Sequence, residues 1–199
     1  YRKRQLVPFG EFVPLRPVLG WLSKFVPIGG DFSRGEDSAP ILLNLRGQPV
    51  VFGPLICYED VYPQLARHSA LGGAGVLAVL TNNGWFGEGG AAYQHAAHAV
   101  LRAVETRRPV LRCGNGGWSG WIDEFGAIRN AMVNDADTIY FRGTKVIEVS
   151  RDVRWIDRNS VYTVYGDWFV LVAAGLAMFS VAILKLAETS AEPNSSSKV

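Results

Sequence analysis

"VVFGPLICYEDVYP", residues 50–63, decides how the rest of the chain is read. Residues 50–57 are short and nearly all apolar, the pattern of a strand covered on both faces. Polar residues Tyr58, Glu59 and Asp60 follow at once, and a helix is expected around "VYPQLARHSA", residues 61–70. Cys57 therefore falls at a strand-to-helix elbow. There the Tyr58 amide N–H would be free to point at an oxyanion. A thiol in this place reads in two ways: as a small core residue, or as a nucleophile given thiolate character by a helix N-terminus or a nearby cation.

Outward from the elbow, short apolar runs alternate with Gly, Pro and Asn punctuation. "GVLAVLT" (75–81), "PVLRC" (109–113), "GWSGWID" (117–123) and "DTIYFRGTKVIEV" (137–149) read as further strands. "AAYQHAAHAVLRAVETRRP", residues 91–109, reads as a helix. Its Ala97, Val100, Leu101 and Val104 recur on one face, and Pro109 ends the pattern. On the opposite face His95, His98, Arg102 and Glu105 form a polar stripe. It reads as a solvated or interdomain surface, with Arg102 and Glu105 as a structural ion pair. Strands alternating with helices, then a run of strands, imply an α/β layered domain.

The 199 residues are 48% hydrophobic, enough for one full domain with a sizeable core. The formal net charge is +2 and like charges form no block, so nothing points to nucleic acid. "ETRRP" reads as a helix end. The two cysteines, Cys57 and Cys113, lack metal-ligand spacing and read as free thiols or, alternatively, as one bridge, with no catalytic role expected for Cys113. The chain opens at Tyr1 without an initiator Met, as a fragment or a processed piece would.

"WFVLVAAGLAMFSVAIL", residues 168–184, carries no charge. That length is near the lower limit for crossing a bilayer. Tyr165 and Trp168 stand at its start like interfacial aromatics, and Lys185 can snorkel at its end. A transmembrane helix is expected over 161–187, with the polar tail 188–199 disordered. Arg151, Arg154 and Arg158 precede the span, which by positive-inside counting would put the main domain in the cytoplasm. That rule says little for a large domain beside one helix.

The N-terminal stretch "YRKRQLVPFGEFVPL", residues 1–15, offers the thiol partners. Lys3 lies within a basic run. Glu11 sits in apolar surroundings where a carboxylate needs a partner, which marks it equally as a site candidate or as half of an ion pair. Taken in order, this stretch, "ICYED", "TNNGWFG", the Gln94-His95 helix start, "LRAVETRRPVLR" and the closing apolar span resemble the apolipoprotein N-acyltransferases. These are membrane-bound members of the nitrilase, or carbon–nitrogen hydrolase, superfamily. The resemblance runs from Tyr1 to about Leu186.

It implies a partial nitrilase-like αββα sandwich over residues 1–160, followed by the transmembrane helix. It makes Cys57 the nucleophile, Lys3 the oxyanion-stabilising lysine and Glu11 a second essential acid, with Tyr58 and Glu59 in the signature around the thiol. The family's general-base glutamate and its other transmembrane helices would lie ahead of Tyr1, so residues 1–199 alone are expected to be inactive. The implied reaction moves a fatty acyl group from a phospholipid, through a Cys57 thioester, to the amine of a diacylglyceryl-cysteine at an apolipoprotein N-terminus. No cofactor or metal is implied. The expected setting is the bacterial inner membrane, with the catalytic domain on the periplasmic side.

In the Gly-rich loop, Trp85 and Phe86 read either as a mobile lid or acyl-chain contact, or as aromatics packed inward. Asn82 and Asn83 either hold that loop near the thiol or simply form an Asn-Gly turn. Two other functions remain open on the sequence: a soluble nitrilase-type amidase that uses water as acceptor, and a non-catalytic membrane-anchored domain.

Overall fold

Strand β2 (Gln48–Ile56) holds two prolines, which a strand inside a sheet rarely tolerates. The register explains both. Residues 48–52 pair antiparallel with β1 (Ile41–Leu45), and residues 52–56 pair parallel with β3 (Val76–Asn82). At Pro49 and at Pro54 the strand thus has one neighbour, and the missing N–H faces the unpaired side. The computed structural model describes residues 1–25, 32–36 and 39–191, with side chains to Glu188. The expected disordered tail falls mostly outside them.

The sheet continues through β4 (Val110–Asn115), parallel to β3, then β5 (Gly120–Ile122) and β6 (Ile128–Ala131), both antiparallel. Its six strands follow chain order. Before it lies the short helix α1 (Arg16–Leu19). Helix α2 (Pro63–Leu71) links β2 to β3, starting on a proline whose absent N–H needs no partner at that position. Helix α3 (Gly90–Thr106) links β3 to β4 and stops at Arg107, which adopts a left-handed backbone.

Leu55, Leu77, Val79, Val110 and Ile122 make one apolar face of the sheet, packed with Trp118, Ile139 and helix α3. The helix buries Ala92, Ala96, Ala99 and Ala103 there. This corrects the expected stripe, since Ala97 and Leu101 are exposed and Val100 only flanks the core. Hydrophobicity alone favours larger side chains, whereas a row of alanines lets the helix axis come closer to the sheet. The approach of β2 to α2 is closer still: a Cβ at Gly53 would sit 2.6 Å from Ser69 Cβ and 2.8 Å from Leu77 Cδ2. The opposite face of the sheet, where Leu43 and Leu80 lie, is open.

The expected strand over 137–149 does not form. Ile139 enters the core and the Tyr140 hydroxyl donates to Gly89 O at 2.7 Å, but Val146 is 98% exposed. Strand propensity needs a neighbouring ladder and a face to bury, and among the described residues the segment has neither. Residues 151–160 are instead fastened by the buried Arg108. Its guanidinium donates to Ala74 O, Trp155 O, Arg158 O and Asn159 Oδ1 at 2.8–3.3 Å.

The chain divides into two units, residues 1–164 and 165–199. Helix α4 (Val161–Tyr165) joins the first through Thr163, which is fully buried and whose carbonyl accepts from Arg67 at 2.7 Å. The second unit is helix α5 (Trp168–Ala191). Its stretch Trp168–Glu188 is 21 residues long, apolar and unburied, a candidate membrane span by length and composition.

Candidate active site

Strand β2 ends at Ile56, and residues Cys57–Val61 wind into one 3-10 turn before α2 begins. The elbow expected from the sequence is present, and Cys57 sits at its apex with φ 53°, in the left-handed region. Holding a side chain other than glycine there costs about 1–3 kcal/mol, so the surroundings must fix it. Both cysteines are free thiols; Cys57 is half-buried and Cys113 exposed.

Glu59 and Asp60 do the fixing, and each is wholly buried. Glu59 Oε1 accepts from the backbone N–H of Arg4 (2.6 Å) and Gln5 (3.2 Å). Its Oε2 accepts from the Ile56 N–H (2.7 Å) and the Tyr1 hydroxyl (2.7 Å). Burial, and then the Glu59 hydrogen bond, push the Tyr1 phenol well above its ordinary range, so it remains the donor. One carboxylate thus clamps the N-terminal stretch to the end of β2, two residues from the thiol.

The clamped stretch also carries Lys3, next to Arg4 in the chain. Lys3 Nζ donates to both oxygens of Glu11, at 2.7 and 2.8 Å, and the Val7 N–H also donates to Glu11 at 2.9 Å. Lys3 and Glu11 therefore form a half-buried ion pair with side chains 11% and 26% exposed. Of the two readings of Glu11, the contacts show the ion pair, with Lys3 as its partner. The Tyr58 ring stands edge-on to Tyr62, with centroids 5.2 Å apart.

Asp60 faces the other way. One oxygen pairs with Arg112 Nη1 and the other lies 2.9 Å from His95 Nε2. Arg102 Nη1 donates to the carbonyls of Asp60 (3.1 Å) and Val61 (3.0 Å), while its Nη2 bonds Glu105 at 2.7 Å. The Arg102–Glu105 pair is as expected, but the solvated-face reading of the helix stripe is overturned. Arg102 is buried and His95 nearly so, because both clasp the elbow. Burial is the main force lowering His98, with the cations Arg102 and Arg112 adding to it against the attraction of Asp60.

The loop after β3 meets this network. Asn83 is fully buried; its Oδ1 accepts from Thr81 Oγ1 at 2.8 Å and lies 3.2 Å from His95 Nδ1. Asn82 Oδ1 accepts from the Gly84 N–H and from Asn115 Nδ2. Trp85 is 81% exposed and Phe86 is exposed too, so neither packs inward; the Phe86 ring lies edge-on to His95. Sequence reasoning missed Asp60, His95 and Arg112 as members of the site. The usable signal was a carboxylate directly after Glu59, which no apolar turn would bury without cationic partners.

The sequence profile of the carbon-nitrogen hydrolase family matches residues 1–154, which hold the Cys57 elbow, the Lys3–Glu11 pair and the mixed sheet. The chain is a member of that family. Among curated relatives it is 36% identical over 167 residues to the apolipoprotein N-acyltransferase of Geobacter metallireducens, covering 84% of this chain and 30% of that protein. It is 33% identical to the apolipoprotein N-acyltransferase of Chlorobaculum tepidum, covering 89% and 32%. The chain thus spans about a third of the length of these relatives. Among solved structures it is similar to the NitN amidase of Nesterenkonia sp. AN1, with 20% identity, 69% and 52% coverage and a TM-score of 0.46.

Proposed function

We propose that this chain carries the nucleophile of an N-acyltransferase acting in lipoprotein maturation, with Cys57 accepting a fatty acyl group. The observation that carries the reading is the strained Cys57 turn, whose Glu59 holds the Arg4 and Gln5 amides of the same stretch that carries the Lys3–Glu11 pair. The similarity to two apolipoprotein N-acyltransferases supports it.

In the first stage the Cys57 thiolate attacks the sn-1 ester carbonyl of a phospholipid. The ester C–O bond breaks, the proton earlier removed from the Cys57 thiol goes to the departing lysophospholipid oxygen, and a thioester remains. In the second, the α-amine of a diacylglyceryl-cysteine attacks the thioester. The C–S bond breaks, the amine loses a proton, and the thiolate is restored. The Lys3 ammonium and the Tyr58 amide would stabilise the tetrahedral oxyanion of both stages, and Glu11 would hold Lys3 in place. Residues 1–160 form the catalytic part in this reading, and helix α5 crosses the membrane. Its apolar stretch meets the roughly 20 residues that a bilayer core requires. The exposed Trp85 and Phe86 are proposed to meet acyl chains. The setting is the bacterial inner membrane, with the catalytic part on the periplasmic side.

The test uses the polypeptide as the cell makes it, purified in detergent with phosphatidylethanolamine. A fatty-acyl mass on the Cys57 peptide, discharged by a diacylglyceryl-cysteine peptide, is the expected result. Lys3→Ala should slow acylation about 100- to 1000-fold. An adduct that survives Cys57→Ala, or the absence of any adduct, would sink the proposal. Free fatty acid released as fast without the amine would mark a hydrolase instead.

A further inference from the structure

His95 joins two elements that the chain keeps far apart. Its Nε2 is 2.9 Å from Asp60 Oδ1, on the turn that presents Cys57. Its Nδ1 is 3.2 Å from Asn83 Oδ1, at the root of the Trp85–Phe86 loop. The ring also meets the Phe86 ring edge-on, at 87° with centroids 6.3 Å apart. Each end is itself bonded further. Asn83 is tied to the sheet, its N–H donating to Asn115 O at 2.8 Å, while its own carbonyl accepts the Phe86 N–H at 2.9 Å. Asp60 is locked by Arg112. The loop thus touches the buried turn through the His95 imidazole, by its Phe86 ring and by its Asn83 root.

We infer that His95 is a positioning residue that couples the Asn83–Gly87 loop to the Cys57 turn, so that the loop's arrangement sets the presentation of the thiol. The inference deepens the acyltransferase reading and rests on it for its catalytic meaning. It gives the loop a task beyond touching the acyl chain: occupancy of the loop by a lipid chain and readiness of the thiol become linked.

A double-mutant cycle tests the link. Gly87 has φ 64° with open space around it, so Gly87→Ala disturbs the loop through its backbone alone. His95→Gln keeps an amide N–H where Nε2 donates to Asp60 and gives up the reach to Asn83. In the intact polypeptide, the rate of Cys57 alkylation by iodoacetamide is followed by the mass of its peptide. Exchange of the Phe86 amide reports that the loop has been disturbed.

With His95 present, Gly87→Ala should slow alkylation about three- to tenfold, the range that one side-chain hydrogen bond is worth. Added to His95→Gln, the same change should alter it less than twofold. An equal effect in both backgrounds, or a disturbed loop with no effect on Cys57, overturns the coupling. If wild-type protein alkylates normally but is never acylated by phosphatidylethanolamine, the acyltransferase reading fails while the cycle still decides the role of His95.

Discussion

Glu59→Gln isolates the hold on the N-terminal stretch, because the substitution keeps the side chain's shape and removes only an oxygen and a charge. Oε1 receives two backbone N–H groups and Oε2 receives the Ile56 N–H and the Tyr1 hydroxyl. If the new NH2 takes the place of Oε1, two backbone donors face a donor. In place of Oε2, it costs the Ile56 N–H its acceptor, while the Tyr1 hydroxyl can turn round and accept. The second arrangement is the less costly one. It loses one hydrogen bond to a charged group, leaves a part-buried N–H unpaired, and weakens the bonds to Arg4 and Gln5. Together these amount to about 3 kcal/mol. At 1.4 kcal/mol per tenfold, local opening of this stretch should become about a hundredfold more frequent. Amide hydrogen exchange at Arg4, Gln5 and Ile56 in the intact polypeptide reads this directly. Cys57 acylation should fall with it, because Lys3 is released. Exchange at all three amides within about threefold of wild type would refute the clamp.

Asp60→Asn leaves the buried Arg112 without its counter-charge, and thermal unfolding should show a loss of about 3–5 kcal/mol. Gly53→Ala forces a methyl against Ser69 and Leu77 and should cost about 1–3 kcal/mol, lowering the melting temperature by several degrees. Asp123 is pushed up by burial, but hydrogen bonds from the Ala127 N–H, the Arg129 guanidinium and the Phe125 N–H outweigh this and leave its carboxyl below the ordinary value. The unfolded chain then holds this proton more tightly. The stability it contributes is full above about pH 4 and is lost as pH falls through the lower folded value; Asp123→Asn should flatten that acid arm in melts taken from pH 7 to 3. Cys57→Gly should melt above Cys57→Ala by an amount equivalent to about 1 kcal/mol, since only glycine adopts φ 53° without strain; equal melting would deny that the turn is strained.

The candidate positions were legible in the sequence where the chain is locally self-sufficient. An apolar run that stops at Cys57 and gives way to "YED" can turn only there, and Pro63 can open a helix but not continue a buried strand. Lys3 and Glu11 were legible as candidates because a carboxylate among "VPFG" and "FVPL" must find a cation. What was not legible depended on distance in the fold. Whether His95 faces water or the elbow follows from the rotation of α3, which its small alanines fix against the sheet rather than its larger apolar residues. Strand β1 was missed because "ILLNL" is edge material, exposed throughout, and pairs only through the turn to β2. The opposite error at residues 137–149 has the same origin, a strand-like composition with no ladder to join.

Two adjacent carboxylates, buried back to back, divide the work around one thiol. Buried ion pairs seldom add net stability, because desolvation offsets most of the attraction, so the Asp60–Arg112 pair is poorly explained as a staple for the core. It is better explained by what it prevents. Cys57 occupies a backbone region that an ordinary turn would leave by relaxing, and the relaxation would have to move Glu59 or Asp60. Moving Glu59 breaks its bonds to Arg4, Gln5 and Ile56, and moving Asp60 uncovers Arg112. Each of these losses exceeds the 1–3 kcal/mol that the strained apex would regain. The turn is therefore kept from relaxing on both sides, by the stretch that carries Lys3 and by the helix that carries His95, and its presentation changes only when one of these holds moves.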